Sequence, residues 1–270
     1  MAIDSPVINV AVLNCGYTSP VIEKERGQYH DIFRVLLRDA VHRSSSLTNK
    51  PNLHLEGWDV VNQKYPLCLD RVDAIIVTGS PNSAYQPLEW IYVLQHYVSR
   101  VYIERPHIKL YGSCFGHQII CKALFEDHGA IIQKDPAGYE LGVHAIDVSE
   151  EFASRFATLL PTKSLRLQFL HGDHVILPPS VLPEDACVIG STPHCANQGI
   201  YQPGRLLTYQ GHPEFDQFIE MECLKLVSAR VGWPAKFTEE AITSAATMDD
   251  AAIAAEIIVS FLLEPTVAEQ

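Results

Sequence analysis

The sequence predicts an open α/β fold, a mostly parallel sheet with helices on both faces. Three observations carry that reading. Apolar runs of strand length alternate with segments of helical periodicity through the first half of the chain, which is how a parallel sheet wound by crossovers is written. The runs Val7–Leu13 and Asp73–Thr78 are almost unbroken in apolar character, as strands covered on both faces require. The second half then changes rhythm, with short strands separated by Gly, Pro and Asp that add antiparallel pieces.

In chain order, Val7–Leu13 is the first strand and ends at Asn14-Cys15-Gly16. Tyr29–Val41 is a helix, because Ile32, Phe33, Leu36, Leu37 and Ala40 recur at helical spacing. Ser44–Asn52 is polar, ends beyond Pro51, and is a loop. A second strand falls within Leu53–Val61, where Trp58, Val60 and Val61 have suitable shapes. Asp73–Thr78 runs straight into the turn cluster Gly79-Ser80-Pro81-Asn82-Ser83. Leu88–Ile103 is helical, Ile108–Tyr111 is a short strand feeding Gly112-Ser113-Cys114-Phe115-Gly116, and 115–127 is the helix that follows. Val143–Val148, Leu165–Leu170, Ala186–Gly190, Gln198–Gln202 and Leu206–Gln210 are the short strands of the second half. Asp216–Val231 is a helix, and Thr238–Leu263 is an Ala-rich helical tail. The acidic pairs Glu150-Glu151 and Asp249-Asp250 suit helix N-termini. With no internal repeat and no long linker, one domain over 1–270 is expected.

Composition narrows the function. With 270 residues and 47% hydrophobic content the chain can bury a full core. Lys+Arg total 20 against Asp+Glu 32, a net charge of −12, which disfavours nucleic acid and anionic membranes because both need clustered cations. No apolar run approaches the roughly 20 residues that span a bilayer. The opening Met1-Ala-Ile-Asp-Ser-Pro lacks a basic segment followed by an apolar one, so no secretory leader is expected. Cys15, Cys68, Cys114, Cys121, Cys187, Cys195 and Cys223 are odd in number, scattered and free of C-x-x-C pairs, which is cysteine usage for a reducing, cytoplasmic compartment.

Gly112-Ser113-Cys114-Phe115-Gly116 has the form G-x-nucleophile-x-G between a strand and a helix. Glycines belong there because the nucleophile sits on a sharp, strained turn and bulk beside it would strike the neighbouring strand and helix. The turn puts the sulfur at a helix N-terminus, which favours thiolate, and points the Phe115 N–H toward an oxyanion on the attacked carbonyl. Alone, the pattern also fits a small buried cysteine in a tight turn. A base is supplied by Tyr209-Gln210-Gly211-His212-Pro213-Glu214-Phe215. Residues i and i+2 of an extended segment face the same way, so His212 and Glu214 share a side and the carboxylate can fix the imidazole tautomer. The bland alternative is a surface His and Glu in a strand-end turn.

Together, Gly-Ser-Cys-Phe-Gly-His-Gln-Ile (112–119) and Gln-Gly-His-Pro-Glu-Phe (210–215) resemble the class I glutamine amidotransferases with their Cys-His-Glu triad, most closely the stand-alone GMP-synthase-like subgroup that includes γ-glutamyl peptidases. The resemblance covers about residues 8–230, leaving 231–270 as a helical extension, and it implies a flavodoxin-like sheet. It assigns the nucleophile to Cys114, the acid/base to His212 and the orienting carboxylate to Glu214. Ser80 and Phe115 match the backbone oxyanion donors, Gln118 the glutamine that contacts the amino-acid end of the substrate, and His171, Gly172 and Asp173 a loop touching the substrate mostly through its backbone. Gly138-Tyr139-Glu140-Leu141-Gly142 matches a further segment near the glutamine pocket. Two departures stand out. The family's oxyanion loop often reads Gly-Gly-Pro, here Gly79-Ser80-Pro81, and only a helical tail follows Glu214, so any ammonia-accepting enzyme would be a separate chain.

The H-x-x-H of His171 and His174 invites a metal, yet zinc needs three or four ligands and no matching second pair accompanies it, so no metal is expected. His194-Cys195 lies in a polar loop and is read as incidental, His117 as a packing residue, Cys121 as a small buried one. The expected chemistry is hydrolysis of a γ-glutamyl amide of a small molecule through a thioester on Cys114, with no cofactor. Three readings compete: a glutaminase or amidotransferase acting on glutamine, a γ-glutamyl peptidase acting on glutathione-like conjugates, and a catalytically silent binding protein of the same fold. The first two share every catalytic residue; Ser44–Asn52 and Pro193–Asn197 are candidate borders of an open leaving-group side.

Overall fold

A computed structural model describes residues 6–45, 47 and 49–266 of the chain. The N-terminal residues 1–5 considered above, and Ser46 and Thr48 of the expected Ser44–Asn52 loop, lie outside the described residues. The main sheet begins with β1 (Val7–Asn14), β2 (Asn52–Asp59), β3 (Ala74–Val77) and β4 (Lys109–Ser113). It is completed by β9 (Cys187–Val188), β11 (Ile200–Gln202) and β12 (Leu206–Tyr209). These seven strands run in the order β2-β1-β3-β4-β12-β11-β9. The first five are mutually parallel and the last two antiparallel. The parallel part has the strand order of a flavodoxin-like sheet.

Because side chains alternate along a strand, a strand apolar throughout feeds two cores. Val10 and Val12 join Ile76, Tyr111 and Leu207 in one cluster, beneath α2 (Tyr29–Arg43). Ala11 and Leu13 join Ile75, Val77 and Leu110 in the other, beneath α3 (Glu89–Glu104) and α4 (Phe115–Phe125). The unbroken apolar runs of the sequence therefore mean what they were read to mean. Helices lie on both faces. No helix among the described residues is long and apolar enough to cross a membrane.

The second half adds two smaller antiparallel sheets. One pairs β6 (Glu140–Val148) with β7 (Ser164–His171) and with the short β10 (Gly190–Ser191), and sets Glu140 opposite His171. The other pairs β5 (Ile131–Lys134) with β8 (Asp173–Ile176) and sets Lys134 opposite Asp173. The expected strand Ala186–Gly190 is two strands belonging to two sheets, with fully buried Ile189 at the crossing. β2 stops at Asp59 rather than at Val61. The Asp59 carboxylate accepts the Asn62 N–H at 3.2 Å and turns Val60–Asn62 into a single 3₁₀ turn.

The expected helical tail is present and is divided in two. α6 (Gln217–Val231) starts at Asp216, whose side chain accepts the Ile219 N–H at 2.8 Å, and ends at Gly232 with φ of +77°. Then α7 (Ala235–Ala245) and α8 (Ala251–Leu262) make up the helical tail expected over Thr238–Leu263. The break is tertiary in origin. Asp250 accepts the backbone N–H of Arg166 at 2.9 Å and its guanidinium at 2.9 and 3.1 Å, and returns its own N–H to the Arg166 carbonyl at 2.7 Å. The chain is thus clamped to β7, and α8 is placed so that Ile257, Ile258 and Phe261 are buried in the core cluster beneath α2. Expected as a helix-capping acid, Asp250 spends its carboxylate on Arg166 instead. Of the pair, Asp249 does the local work, accepting the Ala251 N–H at 3.1 Å. Glu150 and Glu151 do occupy the first turn of α5 (Glu150–Arg155), as expected.

The hydrogen bonds from Arg166 also hold the Asp250 carboxyl below its ordinary range. A carboxyl depressed in the fold contributes stability above its unfolded pKa of about 3.9, lost as pH falls through the folded value. Asp250→Ala is therefore expected to lower the unfolding free energy by about 1–2 kcal/mol near pH 7. The gap from the unsubstituted protein should narrow toward pH 3. Urea denaturation at both pH values checks this, and a pH-independent gap would assign the loss to something other than the charged clamp.

Candidate active site

The carboxyl ends of β1, β3, β4 and β12 open onto one edge of the sheet, where open α/β sheets gather their ligands. At the end of β4 the chain turns directly into α4, and Cys114 takes the turn with φ +50° and ψ −106°. Two glycines permit it. A Cβ on Gly112 would lie 2.6 Å from the backbone of Gly116, and one on Gly116 would lie 2.0 Å from the Val77 carbonyl oxygen. The Cys114 N–H is anchored to the Tyr209 carbonyl at 2.8 Å, which ties the turn to β12. The thiol, at 7% exposure, sits at the amino end of α4.

β12 delivers the partner. His212 Nδ1 lies 2.8 Å from Glu214 Oε1, and both residues are 3% exposed. The other face of the imidazole pair is fixed as well. The backbone N–H of His212 donates to the Gln168 carbonyl of β7 at 2.8 Å, and the imidazole ring stacks on Phe215 at 4.0 Å between centroids. Glu214 is held in turn by the Ser113 hydroxyl, which donates to the carboxylate with distances of 2.8 and 2.9 Å to its two oxygens. Burial pulls the His212 pKa down. The Cys114 and Glu214 charges, and the hydrogen bonds to both side chains, outweigh it and hold the imidazolium well above the ordinary histidine range. Cys114, His212 and Glu214, read as partners from the sequence, are brought together.

Cys114 and His212 face a cleft of about 580 Å³, with Glu214 buried behind the imidazole. Ser80 and Phe115 line it on either side of Cys114 in the chain's folding, Ser80 from the turn after β3 and Phe115 from the first position of α4. Gln118 lines it too, its amide Nε2 donating to the Asp173 carbonyl at 3.2 Å and to the Gln210 side chain at 3.1 Å. His171, Gly172 and Asp173 form part of the wall. The His171 side chain is committed to the protein itself. Its Nε2 lies 2.9 Å from Glu140 and its Nδ1 lies 2.9 Å from the Asp173 carbonyl. Gly172 has no room for a side chain, because a Cβ would meet the Tyr139 ring at 2.8 Å. The Asp173 carboxylate accepts the Tyr85 hydroxyl at 2.9 Å.

Sequence reasoning missed the support beneath this wall. Glu140 is buried and accepts hydrogen bonds from Thr192 at 2.6 Å and Gln198 at 2.7 Å, besides facing His171. Burial raises its pKa, yet these partners, His171 foremost, carry it below the ordinary range. Glu220, on the inner side of α6, is fully buried, and burial pushes its pKa up to about 8 although His212 and a Gly142 hydrogen bond oppose the shift. Ser113 was noted only as the x of the motif. No spacing announces these residues, since each partner lies tens of positions away.

The residues that invited other readings are placed as follows. His117 is fully buried with Nδ1 2.8 Å from the Thr208 hydroxyl; burial, and secondarily His171, drives its pKa down to about 3, so it packs as a neutral ring. Cys121 is fully buried beside it. His194-Cys195 lies in a loop, as read from the sequence, but is not incidental: Cys195 is buried, and His194 and His174 flank the buried Asp135 carboxylate at 3.4 and 3.1 Å. His171 and His174 therefore face different carboxylates, and no cluster of three His, Cys, Asp or Glu among the described residues is arranged to hold a metal ion. Neither Pro193–Asn197 nor the described part of Ser44–Asn52 lines the cleft. Their expected place is taken by Tyr17, Ser19 and Ile22, the last within α1 (Pro20–Arg26), and by α6. The Ser19-Pro20 start and Gly27 end of α1 were readable capping signals.

Comparison with known proteins agrees with this geometry. The family model "Glutamine amidotransferase class-I" matches residues 29–221. A glutamine amidotransferase-like protein of Schizosaccharomyces pombe is 31% identical over 95% of this chain and 99% of its own. Gamma-glutamyl peptidase 2 of Arabidopsis thaliana is 28% identical over 69% of this chain and 71% of its own. Among solved structures, a glutamine amidotransferase of Thermotoga maritima superimposes with a TM-score of 0.65 at 16% identity, covering 95% of this chain and 98% of that one. The glutaminase domain of Trypanosoma brucei CTPS with bound acivicin gives 0.54 at 14% identity, over 77% and 86%. With a buried thiol, imidazole and carboxylate gathered at the edge of a flavodoxin-like sheet, and with this much of its length matched, the chain belongs to the class-I glutamine amidotransferase family.

Proposed function

We propose that this protein hydrolyses γ-glutamyl amides by thiol catalysis in the cytoplasm, with Cys114 as nucleophile. The observation that carries the reading is the buried arrangement of Cys114, His212 and Glu214, with its imidazolium-favouring field. A thiolate beside an imidazolium needs no further activation. Cys114 Sγ attacks the γ-carbonyl carbon, and the backbone N–H groups of Ser80 and Phe115 take up the negative charge on its oxygen. His212 passes its proton to the departing nitrogen as the C–N bond breaks, leaving a γ-glutamyl thioester. His212, now neutral, accepts a proton from water as the oxygen attacks the thioester, and glutamate leaves as the thiolate is restored. Glu214, locked by Ser113, keeps the imidazole in one orientation throughout. Gln118 and the 171–173 loop receive the amino-acid end of the γ-glutamyl group, and no cofactor enters any step.

The size of the cleft favours a leaving group larger than ammonia. At about 580 Å³ it falls within the range of sites for whole drug-sized ligands, roughly 300–1,000 Å³, and is more than free glutamine fills. Relatives named as gamma-glutamyl peptidases support the same preference. A separate ammonia-accepting enzyme belongs to the competing, glutaminase reading.

Replacement of the three residues should give graded losses. Cys114→Ala and His212→Ala should each lower kcat by about 10⁴-fold or more, Glu214→Gln by less. The Cys114→Ala, His212→Ala double variant should be little worse than Cys114→Ala alone. Additive losses in steady-state assays would place the two residues in separate steps. The electrostatics has its own readout. Because the Cys114 charge raises the His212 pKa, the ring should titrate above the usual value of about 6.5 by NMR, and Cys114→Ala should lower that midpoint. An unchanged midpoint would break the proposed thiolate–imidazolium coupling. Finally, the purified protein alone should release glutamate from a γ-glutamyl peptide faster than from glutamine. Faster turnover of glutamine would return the assignment to glutaminase, and no glutamate from either, with Cys114 reduced, would refute hydrolysis without a partner.

A further inference from the structure

One helix face forms part of the cleft wall. Cys223, Leu226, Val227 and Arg230 of α6 follow the i, i+3, i+4, i+7 spacing of a single helical stripe, and all four line the cleft. The stripe is apolar until its last member. Arg230 is exposed, and its one hydrogen bond among the described residues is a long one, Nη1 to the Pro81 carbonyl at 3.4 Å, beside Ser80. It has no carboxylate partner among the described residues. That is notable in a chain of net charge −12, where Arg26, Arg34, Arg38, Arg43, Arg100 and Arg166 are all in ion pairs. Lys134 is the other Lys or Arg residue on the cleft lining, likewise outside any ion pair among the described residues, and it pairs across the strands with Asp173 of the 171–173 loop.

The two cations thus sit at different parts of one cleft. Glutamine has one carboxylate. A γ-glutamyl peptide with a free C-terminus has two, separated by the scissile amide and the leaving peptide. The leaving nitrogen must face His212, its proton donor, and His212 stacks on Phe215 immediately before α6. A leaving group that runs along the α6 stripe would meet Leu226 and Val227 and then Arg230. A planar guanidinium with most of its N–H groups unused is suited to a bidentate grip on a carboxylate.

We propose that Arg230 is a specificity-determining residue that binds the terminal carboxylate of the leaving group, so that the preferred substrates are γ-glutamyl peptides with a free C-terminal carboxylate. This rests on the reading that the cleft holds a γ-glutamyl amide. Lys134 is placed for the α-carboxylate at the other end.

The test compares S-methylglutathione with its glycinamide counterpart, which differs only in lacking the terminal charge. Calorimetric titration of the Cys114→Ala protein should show the acid binding about tenfold more tightly than the amide, with a preference that shrinks as salt is raised. Adding Arg230→Ala should abolish the acid-to-amide ratio, and Arg230→Lys should keep part of it. The KM ratio of the two compounds in enzyme with Cys114 intact should move in the same way. Equal binding of acid and amide, or a ratio that survives Arg230→Ala, would overturn the proposal, as would failure of the acid to bind at millimolar concentration. Glutamate release by the unsubstituted enzyme is followed in parallel. A ratio that depends on Arg230 without any glutamate release would sink the hydrolysis reading and leave the carboxylate site standing, and release with a ratio indifferent to Arg230 would do the reverse.

Discussion

The backbone of Cys114 occupies a conformation that L-residues with side chains avoid, and it can be held there only where neighbouring strands and helix approach within backbone contact. Gly116 meets the Val77 carbonyl and Gly112 meets Gly116 at separations no Cβ tolerates. From this contact the rest follows. It fixes the start of α4 over β3 and β4, so that Phe115 and the turn at Ser80 line the same cleft. Gly79 is confined in a similar way, since a Cβ there would lie 3.0 Å from the His212 ring. A strained nucleophile is stable here because the surrounding sheet over-determines it.

Charge burial is the second demand, and the fold meets it with dedicated architecture. Glu214 is satisfied by Ser113 and His212, both placed by neighbouring parallel strands. Glu140 is satisfied by Thr192, Gln198 and His171, which come from the antiparallel part of the chain. The small sheets of the second half thus serve to deliver hydrogen-bond partners to a carboxylate that would otherwise be costly to bury. Glu220 is treated differently. With its pKa raised to about 8 by burial, it is accommodated mainly as the neutral acid at neutral pH.

Legibility of the sequence followed the range of the forces involved. Parallel strands were plain because Val10 through Leu13 must be apolar to feed two cores at once. The two ends of the site were plain because a strained elbow demands glycines within two residues, and because His212 and Glu214 act at a spacing of two. The helical break at Ala246–Asp250 was not, since no Gly or Pro marks it and the cause is Arg166, far away in sequence. β5 and β8 escaped because they are short, and Ile131 and Ile176 at their paired ends are exposed. Glu140 and Ser113 were invisible as supports because their roles exist only between distant segments. The cleft wall on α6 was hidden for a related reason, as an apolar stripe on a helix reads as core until the structure shows one side of it open.

α6 has a division of labour between its faces. Ile219, Glu220 and Leu224 point into the protein, while Cys223, Leu226, Val227 and Arg230 point into the cleft. Core residues and cleft-lining residues therefore alternate along the same helix, with Cys223 belonging to both because it also packs on the cluster of Ile22, Tyr29 and Phe215. One helical periodicity thus carries both a buried face that holds the core and a stripe that shapes what the cleft presents, so the surface at Leu226, Val227 and Arg230 can differ while the elbow at Cys114 stays as it is.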